Sequence, residues 1–384
     1  MERIAIVDGV RTPFCKMGSD FHFMSAQNLG QIATRELIER TGIDPSVIDE
    51  VVFGCVSQPA DAANLARVIA LMAGIPYQVP AYTVHRNCAS GIEAVDQAIL
   101  KIKAGEGNCY LVGGAESMSN IPFYYSKKVV DIFGALARAK TLPAKLRAFV
   151  KLSLKDLMSP QIGLKMGLTD PVCGMIMGLT AEVLANEFGL TREMQDEFSL
   201  ESHRRAFGAR ERLQEEIVPV ISSPKYKKAV EFDNGPREGQ TIEALTKLKP
   251  YFDRKSGSVT VGNSSQVTDG AVALLVTTES RAQELGLKPL GFVEATAFAG
   301  VEPHRMGIGP AHAIPKVLKK SNIKFDEVQS FEINEAFAVQ VLACCKQMES
   351  ENFIKENNFE GFCGAIDPRI LNVNGGAVAL GHPV

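Results

Sequence analysis

The sequence predicts an α/β protein: two layered α/β halves that repeat one another, with a mainly helical insertion between them. Three observations predict this. Short apolar strands alternate with helical patterns over residues 1–121 and again from about residue 249. The stretch between, 122–248, is richer in Lys, Arg and Met and poor in strand patterns. A helix–turn–strand pattern also recurs 280 positions later in the chain.

The elements follow in order. Residues 4–7 read as a strand, and 29–40 as a helix that Gly42 stops, because glycine enters the left-handed conformation cheaply. Residues 51–56 and 82–84 read as strands, 90–104 as a helix and 109–112 as a buried strand. The repeat places Leu37-Ile38, Ile43, Ile48 and residues 51–53 over Val317-Leu318, Ile323, Val328 and residues 331–333. Three units are expected: 1–121, completed by about 249–275; the helical insertion 122–248; and 276–384.

Composition narrows the function. The 384 residues are 46% hydrophobic and 22% charged, ordinary for a soluble globular protein. A net charge of −3 gives no global field for nucleic acid, so no nucleic-acid partner is expected. No run nears the roughly 18–20 apolar residues of a membrane span. The opening Met-Glu-Arg-Ile-Ala-Ile-Val-Asp puts a strand where a leader would have its apolar core, so the chain reads as mature from residue 1. Eight cysteines show neither CxxC nor Cys/His metal spacing, which predicts no metal and a reducing, cytoplasmic location.

Four segments could carry chemistry. His-Arg-Asn-Cys-Ala-Ser-Gly (85–91) puts Cys88 between a strand and a helix N-terminus, where amides and the macrodipole favour an anion. A depressed thiol pKa is expected there; the alternative is an inert cysteine in a tight turn. Gly-Gly-Ala-Val-Ala-Leu-Gly-His-Pro (375–383) offers His382 as a base, or as an ordinary loop histidine. Asn-Glu-Ala-Phe-Ala (334–338) offers Asn334 either to hold a water at an oxyanion or to cap a helix. Asn263 and Ser265 sit in a polar turn, Gly-Asn-Ser-Ser (262–265), that either lines a substrate tunnel or simply reverses the chain.

NCASG, GNSS…DGA, NEAFA and GGAxAxGHP, in this order and spacing, resemble the thiolase family. Val-Arg-Thr-Pro-Phe (10–14) and Gly-Gly-Ala-Glu-Ser-Met-Ser (113–119) match it as well, so the resemblance spans the chain. It implies the thiolase fold, two αβαβα halves with an inserted loop domain. Asp233-Asn234-Gly235 and Leu245-Thr246-Lys247-Leu248-Lys249-Pro250 resemble the β-subunit of fatty-acid oxidation multienzyme complexes.

The resemblance implies an acyltransferase, a 3-ketoacyl-CoA thiolase. Cys88 would take the acyl group and His382 would activate it, while a water on Asn334 would stabilise the oxyanion. Ser265, with Asn263 beside it, would meet the pantetheine arm. Coenzyme A enters as a substrate, and no bound cofactor is implied. A homodimer or tetramer is implied, as is an enoyl-CoA hydratase/3-hydroxyacyl-CoA dehydrogenase α-subunit as partner. Alternatives are a biosynthetic acetyl-CoA acetyltransferase or a weakly active acyl-CoA-binding subunit.

Relatives of this kind continue past GHP to a second, acid/base cysteine, whereas this sequence stops at Val384. A C-terminally truncated chain with impaired turnover is therefore expected. Residues 127–155 hold eight basic side chains and one acid, Asp131. With Leu146, Phe149, Val150 and Leu157 on one face and Arg147, Lys151 and Lys155 on the other, a basic amphipathic helix is expected. It would either contact an anionic membrane surface or pack on the core with its basic face in water.

Overall fold

The computed structural model describes residues 2–222, 224 and 228–383. Residues 1–120 with 178–384 form one compact unit, and 121–177 form another.

The first unit is built on one mixed sheet. Strands β1 (Ile4–Arg11), β2 (Cys15–Lys16), β3 (Glu50–Gly54), β4 (Ala81–Val84) and β5 (Cys109–Ser117) come early in the chain. The second unit holds the two-residue pair β6 (Phe123–Tyr124) and β7 (Gln161–Ile162). A further short pair, β8 (Val220–Ile221) and β9 (Ala229–Val230), precedes β10 (Thr268–Thr278) and β11 (Gly291–Val293). The sheet runs β11-β1-β10-β5-β3-β4, with β2 also on β10. β3, β4 and β5 are parallel to one another, and β10 is antiparallel to β5 and β1.

Alternation along the strands sends residues into two cores. Val51 and Phe53 join Leu29, Leu37 and Ile69 under the helices Ala26–Thr41 and Leu65–Met72. Val52 points the other way and meets Ala94, Ala98 and Ile99 of the helix Ser90–Ala104. Central β5 is buried along all nine residues, which explains why it reads as a near-continuous apolar run.

The repeat is real at the helix and its turn. Helix Ala26–Thr41 ends on Gly42 (φ 65°), and Gly309–Ser321 ends 280 positions later on Asn322 (φ 57°). The 3-10 turns Pro45–Val47 and Phe325–Glu327 keep the same offset. The strand copy departs from expectation. Where β3 pairs on both sides, residues 331–333 make only an isolated parallel bridge, Phe331 to Leu371. Among the described residues no further strand lies beside that segment.

The expected insertion 122–248 is divided. Only 121–177 stands apart, because the helices that follow pack into the first unit. Helix Arg192–Gly208 buries Asp196 against the side chain of Asn263, and Glu182 accepts the Ser258 and Val259 N–H groups.

Within the second unit, the expected amphipathic helix over 146–157 is broken. Helix Leu142–Phe149 stops, and Leu154–Leu157 starts afresh under a capping box between Ser153 and Asp156. Lys128 pairs with Asp156 at 2.6 Å. Leu146, Phe149 and Val150 are exposed, so no apolar stripe is packed away. No helix of the described residues is long and apolar enough to cross a membrane.

Candidate active site

Three parallel strands, β3, β4 and β5, end at one edge of the sheet, and antiparallel β10 begins there. Open α/β sheets place ligands outside the carboxyl ends of their strands. The segment carrying Cys88 leaves β4 at that edge.

Cys88 sits on a tight elbow between β4 and the helix Ser90–Ala104. Asn87 before it takes φ 46°, a left-handed conformation that Asn tolerates better than most side chains. Ser90 locks the elbow: its Oγ accepts the Arg86 N–H (2.9 Å) and donates to the Asn87 carbonyl (2.6 Å). Ala89, the helix N-cap, supplies no side-chain cap; the Ala89 and Ser90 N–H groups instead donate to the Arg86 and Asn87 carbonyls of the turn (3.0 Å each). Arg86 is drawn aside by an ion pair with Glu93 and by the Phe298 ring, 3.9 Å away.

The thiol itself corrects the sequence-based expectation. Cys88 is exposed, yet crowding by its surroundings pushes the thiol above its ordinary value. Its own N–H pulls the other way, and the Glu116 carboxylate adds to the rise. The helix terminus therefore does not offset the burial that raises the thiol.

Glu116 comes from the end of β5 and is fully buried. It accepts the Val56 N–H (2.8 Å) and the Ser57 N–H (3.1 Å to the same oxygen). Its place in the GGAESMS segment was visible in the sequence, but its role under the nucleophile was not.

His382 and Asn334 line a common cavity of about 310 Å³. Cys88 is outside that cavity wall and stands at the neighbouring strand ends. Two glycines bring the GHP segment there. A Cβ on Gly375 (φ 76°) would lie 2.5 Å from the Ser202 carbonyl, so the turn needs glycine to approach its helix. Gly270 pairs with Glu116 across β10 and β5, and a Cβ there would meet Pro383 at 2.8 Å. Pro383 thus lies on the face of the sheet to which Glu116 points.

Burial holds the His382 imidazole below its ordinary value, so it is neutral at neutral pH and able to accept a proton. Its buried Nδ1 has no hydrogen-bond partner among the described residues.

Asn334 is exposed to the cavity, and its backbone is held rigidly. The Asn372 side chain accepts the Ile333 N–H (2.8 Å) and donates to the Ile333 carbonyl (2.9 Å). Asn372, Ser202 and Glu335 were missed in the sequence, though Glu335 stands inside NEAFA.

The 262–265 turn docks on the same segment. The Ser265 N–H donates to the Ala336 carbonyl (2.9 Å), and Ser265 remains half-buried. Asn263, expected in the same turn, has its side chain tied within the protein. It is fully buried, its Oδ1 accepting the Thr260 N–H (2.7 Å) and its Nδ2 donating to Asp196 (3.1 Å). Its side chain builds the turn instead of binding through it.

A thiol at a strand end and a buried imidazole beside an amide-lined cavity are groups that acyl transfer through sulfur could use. Fold and family matches together define an acyltransferase built on a layered α/β sheet. The chain belongs to the thiolase family: residues 4–280 match the thiolase N-terminal domain and 287–384 the thiolase C-terminal domain.

Its relatives agree. It is 39% identical to the 3-ketoacyl-CoA thiolase of Serratia proteamaculans, over all of this chain and 87% of that protein. Against the Escherichia coli (strain 55989 / EAEC) 3-ketoacyl-CoA thiolase it is 38% identical, with the same coverage of both chains. Among solved structures, a Bacillus anthracis acetyl-CoA acetyltransferase superposes with TM-score 0.84 at 36% identity, covering all of this chain and 89% of that one. Human mitochondrial 3-ketoacyl-CoA thiolase in complex with CoA gives 0.82 at 30%, covering all of this chain and 87% of that one.

Proposed function

We propose that this chain cleaves 3-ketoacyl-CoA with coenzyme A, through an acyl group held on Cys88. The observation that carries this reading is spatial: His382 and Asn334 share one cavity at the sheet edge where the Cys88 elbow lies.

In the reaction, neutral His382 takes the Cys88 proton, and the sulfur attacks the ketone carbon of the substrate. The bond between that carbon and the adjacent methylene breaks. The acyl group stays on sulfur, and the electron pair leaves on the acetyl-CoA enolate. That enolate takes the proton that His382 removed from Cys88 and departs as acetyl-CoA, leaving His382 neutral again. His382 then takes the thiol proton of CoA, the CoA sulfur attacks the thioester and frees the shortened acyl-CoA, and the departing Cys88 sulfur recovers that proton. Asn334 and His382 together hold a water or donate directly where negative charge develops on the thioester oxygen. Ser265 faces the pantetheine arm.

Acyl-CoA and CoA are the proposed partners in solution, with further copies of this chain and a hydratase/dehydrogenase subunit as protein partners. The working location is the cytoplasm. Residues 121–177 contact an anionic lipid surface through exposed basic and apolar side chains. Binding equally weak to anionic and neutral vesicles would remove that last element.

Likeness to the acetyl-CoA acetyltransferase structure favours a second reading, short-chain condensation. One experiment separates the two. The protein is mixed with acetoacetyl-CoA or a long-chain 3-ketoacyl-CoA, then weighed intact while acetyl-CoA is counted. The proposal expects one long acyl group on the protein and one acetyl-CoA released. Acylation from acetoacetyl-CoA alone would favour the second reading, and none from either would refute both.

A further inference from the structure

Glu335 occupies a position that the reaction above does not use. It is 1% exposed, and its carboxylate accepts from three separate elements. Ser202 Oγ donates at 2.6 Å from helix Arg192–Gly208, Asn372 Nδ2 at 2.9 Å, and the Val378 N–H at 3.0 Å from the GHP segment.

Each donor is itself committed to the site. Asn372 grips both backbone groups of Ile333, the residue before Asn334. Ser202 Oγ also accepts the Gly376 N–H (3.2 Å), and a Cβ on Gly376 would lie 2.3 Å from the Glu335 carboxyl carbon. Val378 is the second residue of the short helical turn Ala377–Leu380 that ends just before His382. Arg205 on helix Arg192–Gly208 donates to the Pro368 carbonyl (3.0 Å) and secures the strand-like lead-in.

We infer that Glu335 is a positioning residue that fixes the spacing between Asn334 and His382, clamping the two motifs into one body. The inference rests on the thiolase reading of those two residues. Its physical basis is that a carboxylate offers acceptor sites to all three donors, whereas an amide replaces one oxygen with a competing donor. A cluster of charge-assisted hydrogen bonds in a dry site is also stiffer than neutral ones. Small displacements of catalytic groups cost large factors in rate.

The test uses Glu335→Gln, Asn334→Ala, the double variant and Ser202→Ala in the full chain. Two readouts are taken: the rate of Cys88 acylation by acetoacetyl-CoA, and the His382 imidazole NMR signal without substrate. Glu335→Gln should slow maximal acylation at least roughly tenfold, with the half-saturating concentration within about twofold. Cys88 alkylation by iodoacetamide at high pH should stay within about twofold, since the elbow itself is untouched. The double variant should lose less than the product of the two single losses, because part of the lost positioning acts through Asn334.

The His382 signal should shift or broaden in Glu335→Gln. Ser202→Ala, which keeps two of the three donors, should show the same pattern more weakly. A normal rate in folded Glu335→Gln or Ser202→Ala, or losses that simply multiply in the double variant, would overturn the clamp. If the unaltered protein takes no acyl group from acetoacetyl-CoA or from a long-chain 3-ketoacyl-CoA, the thiolase reading fails. The clamp is then judged by the imidazole signal alone, and an unmoved signal refutes it.

Discussion

Gly270 and Glu116 face each other across the β5–β10 ladder, and the two residues support opposite sides of one site. The glutamate reaches toward the loop under the Cys88 elbow, while the glycine leaves room for Pro383 and hence for His382. Directly opposed residues in an antiparallel pair point to the same face. That geometry makes the glycine a space requirement of the active site.

Gly270→Ala therefore tests the arrangement. The added methyl would stand 2.6 Å from the Phe14 ring and 2.8 Å from Pro383, too close for either to stay. Pro383 should move and take His382 with it. Cys88 acylation should fall by roughly tenfold or more, with about 1–3 kcal/mol of stability lost to the overpacking. Unchanged acylation would show that His382 is not placed by this contact.

A second prediction concerns pH. His203 is buried, its Nδ1 accepts the Arg237 N–H, and burial with the nearby Arg237 and Lys16 charges lowers its pKa to about 4. The unfolded ring takes a proton near its ordinary value, while the native ring does so only near pH 4. This contribution is thus fully present above pH 6.5 and is lost as the pH falls toward 4, by on the order of 2–3 kcal/mol. Urea unfolding of the protein and of His203→Gln across that range should converge at low pH. A constant gap between them would contradict the assignment.

Asn263 and Ser265 should separate cleanly. Asn263→Ala strands the Thr260 N–H and takes one of its donors from the Asp196 carboxylate, which keeps its ion pair with Arg192, so it should cost roughly 1–3 kcal/mol of stability. Ser265→Ala leaves those bonds intact and should instead raise the half-saturating CoA concentration about threefold or more. Denaturation curves and CoA titrations on both variants decide this. A stability loss confined to Ser265→Ala would reverse the roles.

How much of this could be read in the sequence depends on range. Helix Ser90–Ala104 was legible to the residue because its end, Gly105 at φ 77°, is a local event. The repeat was legible because capping and 3-10 turns are equally local. The boundary at residue 177 was not, since both sides are helical. What joins 178–248 to the sheet unit is contacts such as Asp196 with Asn263, made far along the chain. The raised Cys88 thiol escaped for the same reason: the helix terminus is local, but the burial that raises the thiol, with a smaller push from Glu116, comes from segments far along the chain. Asn334 and His382 were legible as motifs, yet the clamp between them needs Ser202 from a third element.

The central claim is that Cys88, and no other thiol, carries the acyl group. Eight cysteines are free, and four of them, Cys15, Cys55, Cys109 and Cys344, are buried. The direct measurement is peptide mapping by mass spectrometry after brief incubation with a 3-ketoacyl-CoA and acid quench. The acyl mass should fall on the peptide bearing Cys88 and vanish in Cys88→Ala. An acyl group on another cysteine, or one that persists in Cys88→Ala, would contradict the account.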